Sequence, residues 1–560
     1  MRDTCLWCIA AFLLFACQSG NDAVPLPDDE RYGGILVLNQ FQSFSTTFPS
    51  STFELSAAEI GSHVYETLVG YEEESLEPIP LLASSWSINE DATEYRFTIR
   101  EGVFFHDDDC FPDGKGRLMT PEDVLFTMRY ICEQHPNNRS RCLFSDQVLG
   151  AQAYHDEKMD AETDEHPGIF LDGRDLVFRL SKPNVEFIHV LAHYNTSIFP
   201  RELLEYYEGE VDFNPVGTGA FKRKVLRAEE ICVLERHTRY WGRDDNGNPL
   251  PFLDGVKIGF ASEGLPVSQA MQEGILHLVT DADMVEDGDA ITSLTEGEYA
   301  AYRAESVSEL ETVFLGFLND EGVFADVRVR KAFGMALDMQ KIADEVLNGS
   351  GKPGAYGLVP PAFKKYPYEE VKGFSQDIEQ AQKLMAEAGF EDGSTFPVTT
   401  LQIQNRFRDV IVAQEIQRQV LDNLGISLSI TALPRGQHFK RIEDRQTNLW
   451  LDNWIGDFID PQNFLGLMLS RNTPEQGSSF LNIYRYKNPT YDSLVFEALK
   501  VNDEGKRMLL YCKADDLLME DAAIVPIYYE EKQLIQHVNV MGLKGPVLGV
   551  LNLKQVYLDS

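Results

Sequence analysis

Apolar positions along this chain fall into two rhythms, one of period two and one close to 3.6. Gly33-Gly34-Ile35-Leu36-Val37-Leu38 reads as a buried first strand. Tyr95, Phe97 and Ile99 alternate with polar residues, the period of a half-buried strand. Thr120-Pro121-Glu122-Asp123-Val124 places a capping Thr, a Pro at the first helical position and acids in the first turn, so a helix starts there. Val329, Phe333, Ala336, Leu337, Ile342 and Val346 fit one helix face. Ser375 is placed to cap a helix with Ile378, Ala381, Leu384, Met385 and Ala388 inward, stopped by Gly389. Val410, Ala413, Ile416, Val420, Leu421 and Leu424 predict another, stopped by Gly425, and Ile426, Leu428 and Ile430 alternate in a strand after it. Helix, glycine and strand repeated this way predict α/β layers with helices on a sheet. His135 to Gly168 is polar and acidic and reads as a long surface excursion.

Composition adds bounds. A chain of 560 residues exceeds what one core supports, so two or three domains are expected. The formal net charge of −40 repels phosphate backbones and argues against nucleic acid as a ligand. It serves solubility, or favours cationic ligands at long range. The N-terminus carries Arg2 and then an apolar run from Leu6 to Phe15, too short to span a bilayer and of the length of a secretory signal. Leu14-Phe15-Ala16-Cys17 looks like a bacterial lipobox, with residues 1–16 removed and Cys17 lipidated. Residues 17–30 are polar and Pro-rich, as a tether is. Cys110, Cys132, Cys142, Cys232 and Cys512 remain. Cys132 and Cys142 flank a polar loop that a disulfide would close, Cys110 is an alternative partner to either, and the odd count leaves at least one thiol free.

The richest chemistry lies in Asn453-Trp454-Ile455-Gly456-Asp457-Phe458-Ile459-Asp460-Pro461-Gln462-Asn463-Phe464. Pro461 disfavours helix at Asp460, so the segment is a turn, and Asp460 reads as a turn-former. A carboxylate beside an indole face suits a bound cation. Catalytic and metal signatures are weak. His189 and His193 stand four apart without the Glu of H-E-x-x-H and read as packed helix, no G-x-S-x-G elbow occurs, and Gly349-Ser350-Gly351-Lys352 has the wrong spacing for a phosphate loop. No metal or other cofactor is expected.

That run resembles the W-x-x-D-x-x-D-P-x-x-F segment of the family 5 extracellular solute-binding proteins, the peptide-binding subunits of ABC importers. Other blocks resemble the family in the same order: Leu82-Ala83-Ser84-Ser85-Trp86, Tyr95-x-Phe97, Val103-x-Phe105-His106-Asp107, Gly217-Thr218-Gly219-Ala220-Phe221, Tyr240-Trp241-Gly242, Pro251-Phe252-Leu253-Asp254 and Val327 to Asp338. The resemblance implies a two-lobed α/β fold with an extra domain inserted in the first lobe and a ligand cleft between the lobes. It places domain I at 31–52, 168–264 and 525–560, domain II at 53–167 and domain III at 265–524. It implies that Asp457 grips the free amino group of a peptide and that Trp454 walls the pocket. Backbone contacts come from the loop at Asn39, Gln40 and Phe41, and Arg406, or Arg408 in its place, meets a terminal carboxylate. The implied partners are a peptide and an ABC permease with cytoplasmic ATPases. The implied location is periplasmic or cell-surface, as a lipid-anchored monomer. Alternatives are a nickel complex, haem or a sugar on the same fold. A secreted hydrolase using Asp457 and Asp460 as paired acids is a further one.

Overall fold

The computed structural model describes residues 24–559 except 41–43, 53, 136–137, 157–165, 228–229, 261–265, 281–292, 296–299, 392, 475–480 and 547. The leader, Cys17 and Phe41 lie outside the described residues.

One mixed sheet of 11 strands runs through the molecule. Its members are β1 (Ile35–Gln40), β2 (Phe221–Arg227), β3 (Ile231–Arg236), β4 (Gly255–Phe260), β5 (Leu278–Val279), β6 (Tyr302–Phe317), β7 (Gly351–Pro353), β8 (Thr399–Gln404), β9 (Leu428–Leu433), β10 (Leu449–Ile455) and β11 (Ile524–His537). The order across it is β9-β8-β10-β6-β11-β5-β1-β4-β3-β2, with β7 added on β11. β1 lies parallel to β4 and β5, and β8 lies parallel to β9 and β10. A separate four-stranded antiparallel sheet holds Ala83–Ile88, Glu94–Ile99, Asp175–Arg179 and Ile169–Asp172.

Two large cores form on this frame. The first gathers Leu36, Leu38, Phe97, Val124, Phe144 and Phe178 with the late residues Leu534, Leu553 and Val556. The second gathers Phe314, Phe333, Ile403, Ile416, Trp450, Phe464 and Tyr511. A small cluster with Met271, Val279, Tyr302 and Ile535 lies between them in the sheet. The antiparallel pair β6 and β11 joins the cores: Phe314 and Val525 sit in the second, and Leu534 reaches the first. Their pairing shifts register between Ser308 and Thr312, a bulge that re-aims the strand at the junction.

The α/β layering is as the periodicity predicts. Thr120 caps the Pro121–Tyr130 helix with a reciprocal bond to Asp123, and Gly425 ends the Phe407–Leu424 helix in the left-handed region at φ 67. Several local expectations change. The first strand begins at Ile35, which is 52% exposed. Only Leu36 and Leu38 enter the first core, while Val37 packs against the middle cluster on the opposite face. The face running from Val329 to Val346 belongs to separate pieces: one helix ends at Met335, and Asp338 caps the next by accepting from Lys341 N. The Ile378–Glu387 helix is capped by Asp377, not Ser375, and its Ile378 stays at the surface. Leu421 is 49% exposed on a helix whose buried face runs through Val412, Ala413, Ile416 and Val420. The polar stretch from His135 is no simple excursion, because Ser140, Phe144 and Val148 are buried in it. All five described cysteines are free. Cys132 is buried with its thiol against the Met128 carbonyl, while Cys142 is exposed, so no disulfide closes the loop between them.

Candidate ligand-binding site

β10 pairs antiparallel with β6, setting Trp454 opposite Thr312, and the chain then turns at Gly456. Gly456 N donates to the Leu310 carbonyl at 2.7 Å. A Cβ here would meet the Phe464 ring at 3.2 Å and Leu310 at 3.3 Å, so this close approach favours glycine. Beyond it, Asp460 accepts from Gln462 N at 2.7 Å, the turn-forming role its place before Pro461 predicts. The helical turn Gln462–Leu465 folds Asn463 back onto the loop. The Asn463 side-chain carbonyl accepts from Trp454 Nε1 at 2.9 Å and from Asp457 N at 3.2 Å. One amide therefore fixes both the indole and the backbone of the Asp. Sequence reasoning missed Asn463. The signal was present in its position two residues after Pro461, where a single turn returns the chain.

Asp457 is open to solvent by surface yet crowded by surrounding protein, the condition of a group on a concave floor. Burial pushes its pKa up to about 6, opposed in part by the hydrogen bond from Asn463. No Lys or Arg is recorded in an ion pair with it among the described residues. Across from it stands the Ser140–Leu143 turn, anchored in the first core through Ser140, whose hydroxyl donates to Ser50 O. The Asp457 charge reaches Cys142 on that turn and, after burial, helps to push the thiol pKa up.

Arg406 stands at the carboxyl ends of the parallel strands, where ligands bind in open α/β sheets. Its Nε donates to Asp409 at 2.9 Å and its Nη2 to Asn453 Oδ1 at 3.2 Å, while Asn453 Nδ2 donates to Glu311 at 2.8 Å. The side chain keeps 43% of its surface exposed. Arg408 is committed elsewhere, to Glu530 and to the Ser350 carbonyl. Phe407 is 82% exposed beside Arg406, and Ile455 is 50% exposed at the end of β10, giving this edge an apolar lip that the sequence reading did not include.

Asn39 and Gln40 end β1 and are buried. Gln40 Nε2 donates to Ser56 O at 2.9 Å and to Glu59 at 3.0 Å. Both residues line a cavity of about 110 Å³ shared with Ser56, Glu59, Glu309 and Lys532. Glu309 precedes the Leu310 that holds Gly456, so the cavity and the Asp457 loop are neighbours along the β6 bulge.

The two acids of the motif sit in different surroundings: Asp460 is 2% exposed, with its pKa raised well above the usual carboxylate range by burial, whereas Asp457 is exposed. His189 and His193 diverge: His189 Nε2 lies 3.2 Å from Glu186, and His193 accepts from Asn195 N.

The profile described as "Bacterial extracellular solute-binding proteins, family 5 Middle" matches residues 77–476. A dipeptide-binding protein of Pseudomonas aeruginosa is 26% identical over 493 residues, covering 86% of each chain. The periplasmic oligopeptide-binding protein OppA of Escherichia coli is 27% identical over 548 residues, covering 93% of this chain and 92% of its own. The structure of the periplasmic binding protein DppA from Helicobacter pylori, in complex with peptide STSA, superposes with a TM-score of 0.74 at 24% identity. It covers 95% of this chain and 99% of that one, a likeness of fold.

Proposed function

The chain belongs to the bacterial extracellular solute-binding proteins, family 5, and on that premise we propose that it captures peptides with a free amino terminus outside the cytoplasmic membrane and passes them to an ABC permease. The observation that carries the peptide reading is Asp457: an exposed carboxylate in crowded surroundings, its pKa raised to about 6, with no side-chain cation paired with it among the described residues. An ammonium group would supply the missing charge and fix the register of the bound chain. Trp454 forms the adjoining wall, Arg406 faces the ligand's other end, and Gln40, which pairs with Phe260 on β4 beyond the reach of β5, offers backbone for strand-like pairing, whereas Asn39 is already flanked by β4 and β5. No catalytic step is part of this reading.

The same proposal divides the molecule into domain I (31–52, 168–264 and 525–560), domain II (53–167) and domain III (265–524), with closure about β6 and β11. The two cores joined by that strand pair support it.

Calorimetry tests the site. The wild-type protein should bind a free-amine peptide and reject its N-acetylated form. Asp457→Asn should lose roughly 2–5 kcal/mol for the free amine, on the order of 30-fold to several thousand-fold, and should discriminate little between the two forms. Equal wild-type affinity for both forms would overturn the assignment.

A further inference from the structure

The cavity of about 110 Å³ at the end of β1 has walls of two kinds. Leu38, Ile258, Leu534 and Leu553 give it an apolar side that belongs to the first core. Asn39, Gln40, Glu59, Glu309 and Lys532 give it a polar side. It is smaller than the roughly 150 Å³ apolar cavity that holds benzene, so it suits a slender chain and is tight for a ring.

Two deeply buried polar atoms in this lining make no hydrogen bond within the protein. One is Oε1 of Glu309, a residue 9% exposed, and the other is Nδ2 of Asn39, a residue 6% exposed. Lys532 Nζ stands 3.7 Å from Glu309 Oε1, an ion pair too long for a hydrogen bond. Glu59 accepts from the neutral Gln40 Nε2 at 3.0 Å. The charged groups of the lining are thus two acids and one base. His63 beside them adds no cation near neutral pH, because burial lowers its pKa to about 4. An anion entering here would meet two carboxylates, whereas a cation would satisfy the Glu309 oxygen, which is costly to bury without a donor.

Placement ties the cavity to the amino end of a ligand. Glu309 directly precedes Leu310, whose carbonyl accepts from Gly456 N at 2.7 Å at the head of the Asp457 loop. A peptide held by its amino group at Asp457 has its first side chains beside this opening.

We propose that the cavity is a subsite for a lysine side chain near the amino end of the bound peptide, its methylene stem lying against Leu38, Leu534 and Leu553 and its ammonium donating to Glu309 Oε1. The subsite rests on the peptide reading of the cleft and adds to it the kind of side chain selected: long, unbranched and cationic. Lysine combines an apolar stem with a compact head carrying three donors, which matches the two walls. The planar fork of arginine needs more room than a slender cavity gives. The Asn39 amide remains to donate to a carbonyl of the ligand backbone. The net charge of −40 draws such a ligand in from a distance.

Calorimetry on free-amine tripeptides of alanine tests this, with lysine placed at each position in turn and norleucine as the counterpart that keeps the stem without the charge. In the wild type, lysine at the first or second position should bind roughly tenfold or more tighter than norleucine at the same position, and lysine at the third should show no such advantage. Glu309→Gln should bring the lysine-to-norleucine ratio close to one, and Glu59→Gln should lower it by less. The ratio is read within one protein, so a general change in affinity cancels. A wild-type ratio near one at the first two positions, or a ratio that survives both substitutions, would overturn the subsite and leave the peptide reading standing. A wild type that binds none of these peptides would overturn both.

Discussion

At the scale of single residues, the molecule separates groups by what surrounds them, not by their chemical type. Asp457 and Asp460 are three positions apart, yet one is exposed and the other is buried. For Asp457 the raised pKa of about 6, against an ordinary 3.8, sets two expectations. Binding of an ammonium ligand requires the ionised carboxylate and the protonated amine, so affinity should be highest between about pH 6 and the amine's own pKa near 8, and fall by up to tenfold per pH unit below that window. Calorimetry across pH 4.5–8, roughly the interval that brackets such a titration, reads this directly. Between the two pKa values the native state holds more protons than the unfolded chain, so this group's contribution to stability declines as pH rises. At pH 7 it is a liability in the ligand-free protein. Asp457→Asn should therefore raise the ligand-free Tm while weakening ligand binding, the trade expected of a functional residue. A lowered Tm would mean that the carboxylate is satisfied within the fold. The candidate role of Asp457 was legible because Trp, Gly, Asp and Pro fall within a few residues. Asn463, Glu309 and the opposing Ser140–Leu143 turn were not, because a helical turn, a strand bulge and the meeting of two cores bring them near.

At the scale of elements, periodicity located the helices better than their ends. The apolar face from Val329 to Val346 keeps its spacing across a real break, because the second helix buries Met339 and Ile342 against the same core as the first. What ends one helix and starts the next is backbone hydrogen bonding, which a hydrophobic pattern does not record. Caps show the difference. Asp338 accepts from Lys341 N at 3.0 Å, and Asp377 accepts from Gln380 N at 3.0 Å. Replacing either with Ala should cost about 1 kcal/mol, read as a lowered denaturant midpoint. Ser375→Ala, at the position that the sequence favoured, should stay within about 0.5 kcal/mol. The reverse ranking would mean that the cap lies at Ser375 after all.

At the scale of the whole molecule, the formal net charge of −40 favours cations at long range, the sign of ligand that the proposed role of Asp457 would hold at contact. The tether reading belongs here too. If Cys17 carries lipid, Cys17→Ser should move the protein from the membrane fraction to the soluble one. An acyl chain supplies roughly 0.8 kcal/mol per buried methylene and the polar tether supplies none. A variant that stays with the membrane after a salt wash would refute the anchor.

The strand pair that joins the lobes also sets an order of assembly. The first core is built mostly from residues before Phe260, but it is completed by Leu534, Val540, Leu553 and Val556, and β11 holds β5 beside β1. A nascent chain that has reached residue 520 carries nearly all of the first lobe's sequence and none of the strand that completes it. Contacts of such sequence separation form late and slowly. The first lobe's core is therefore completed only when the final segment arrives.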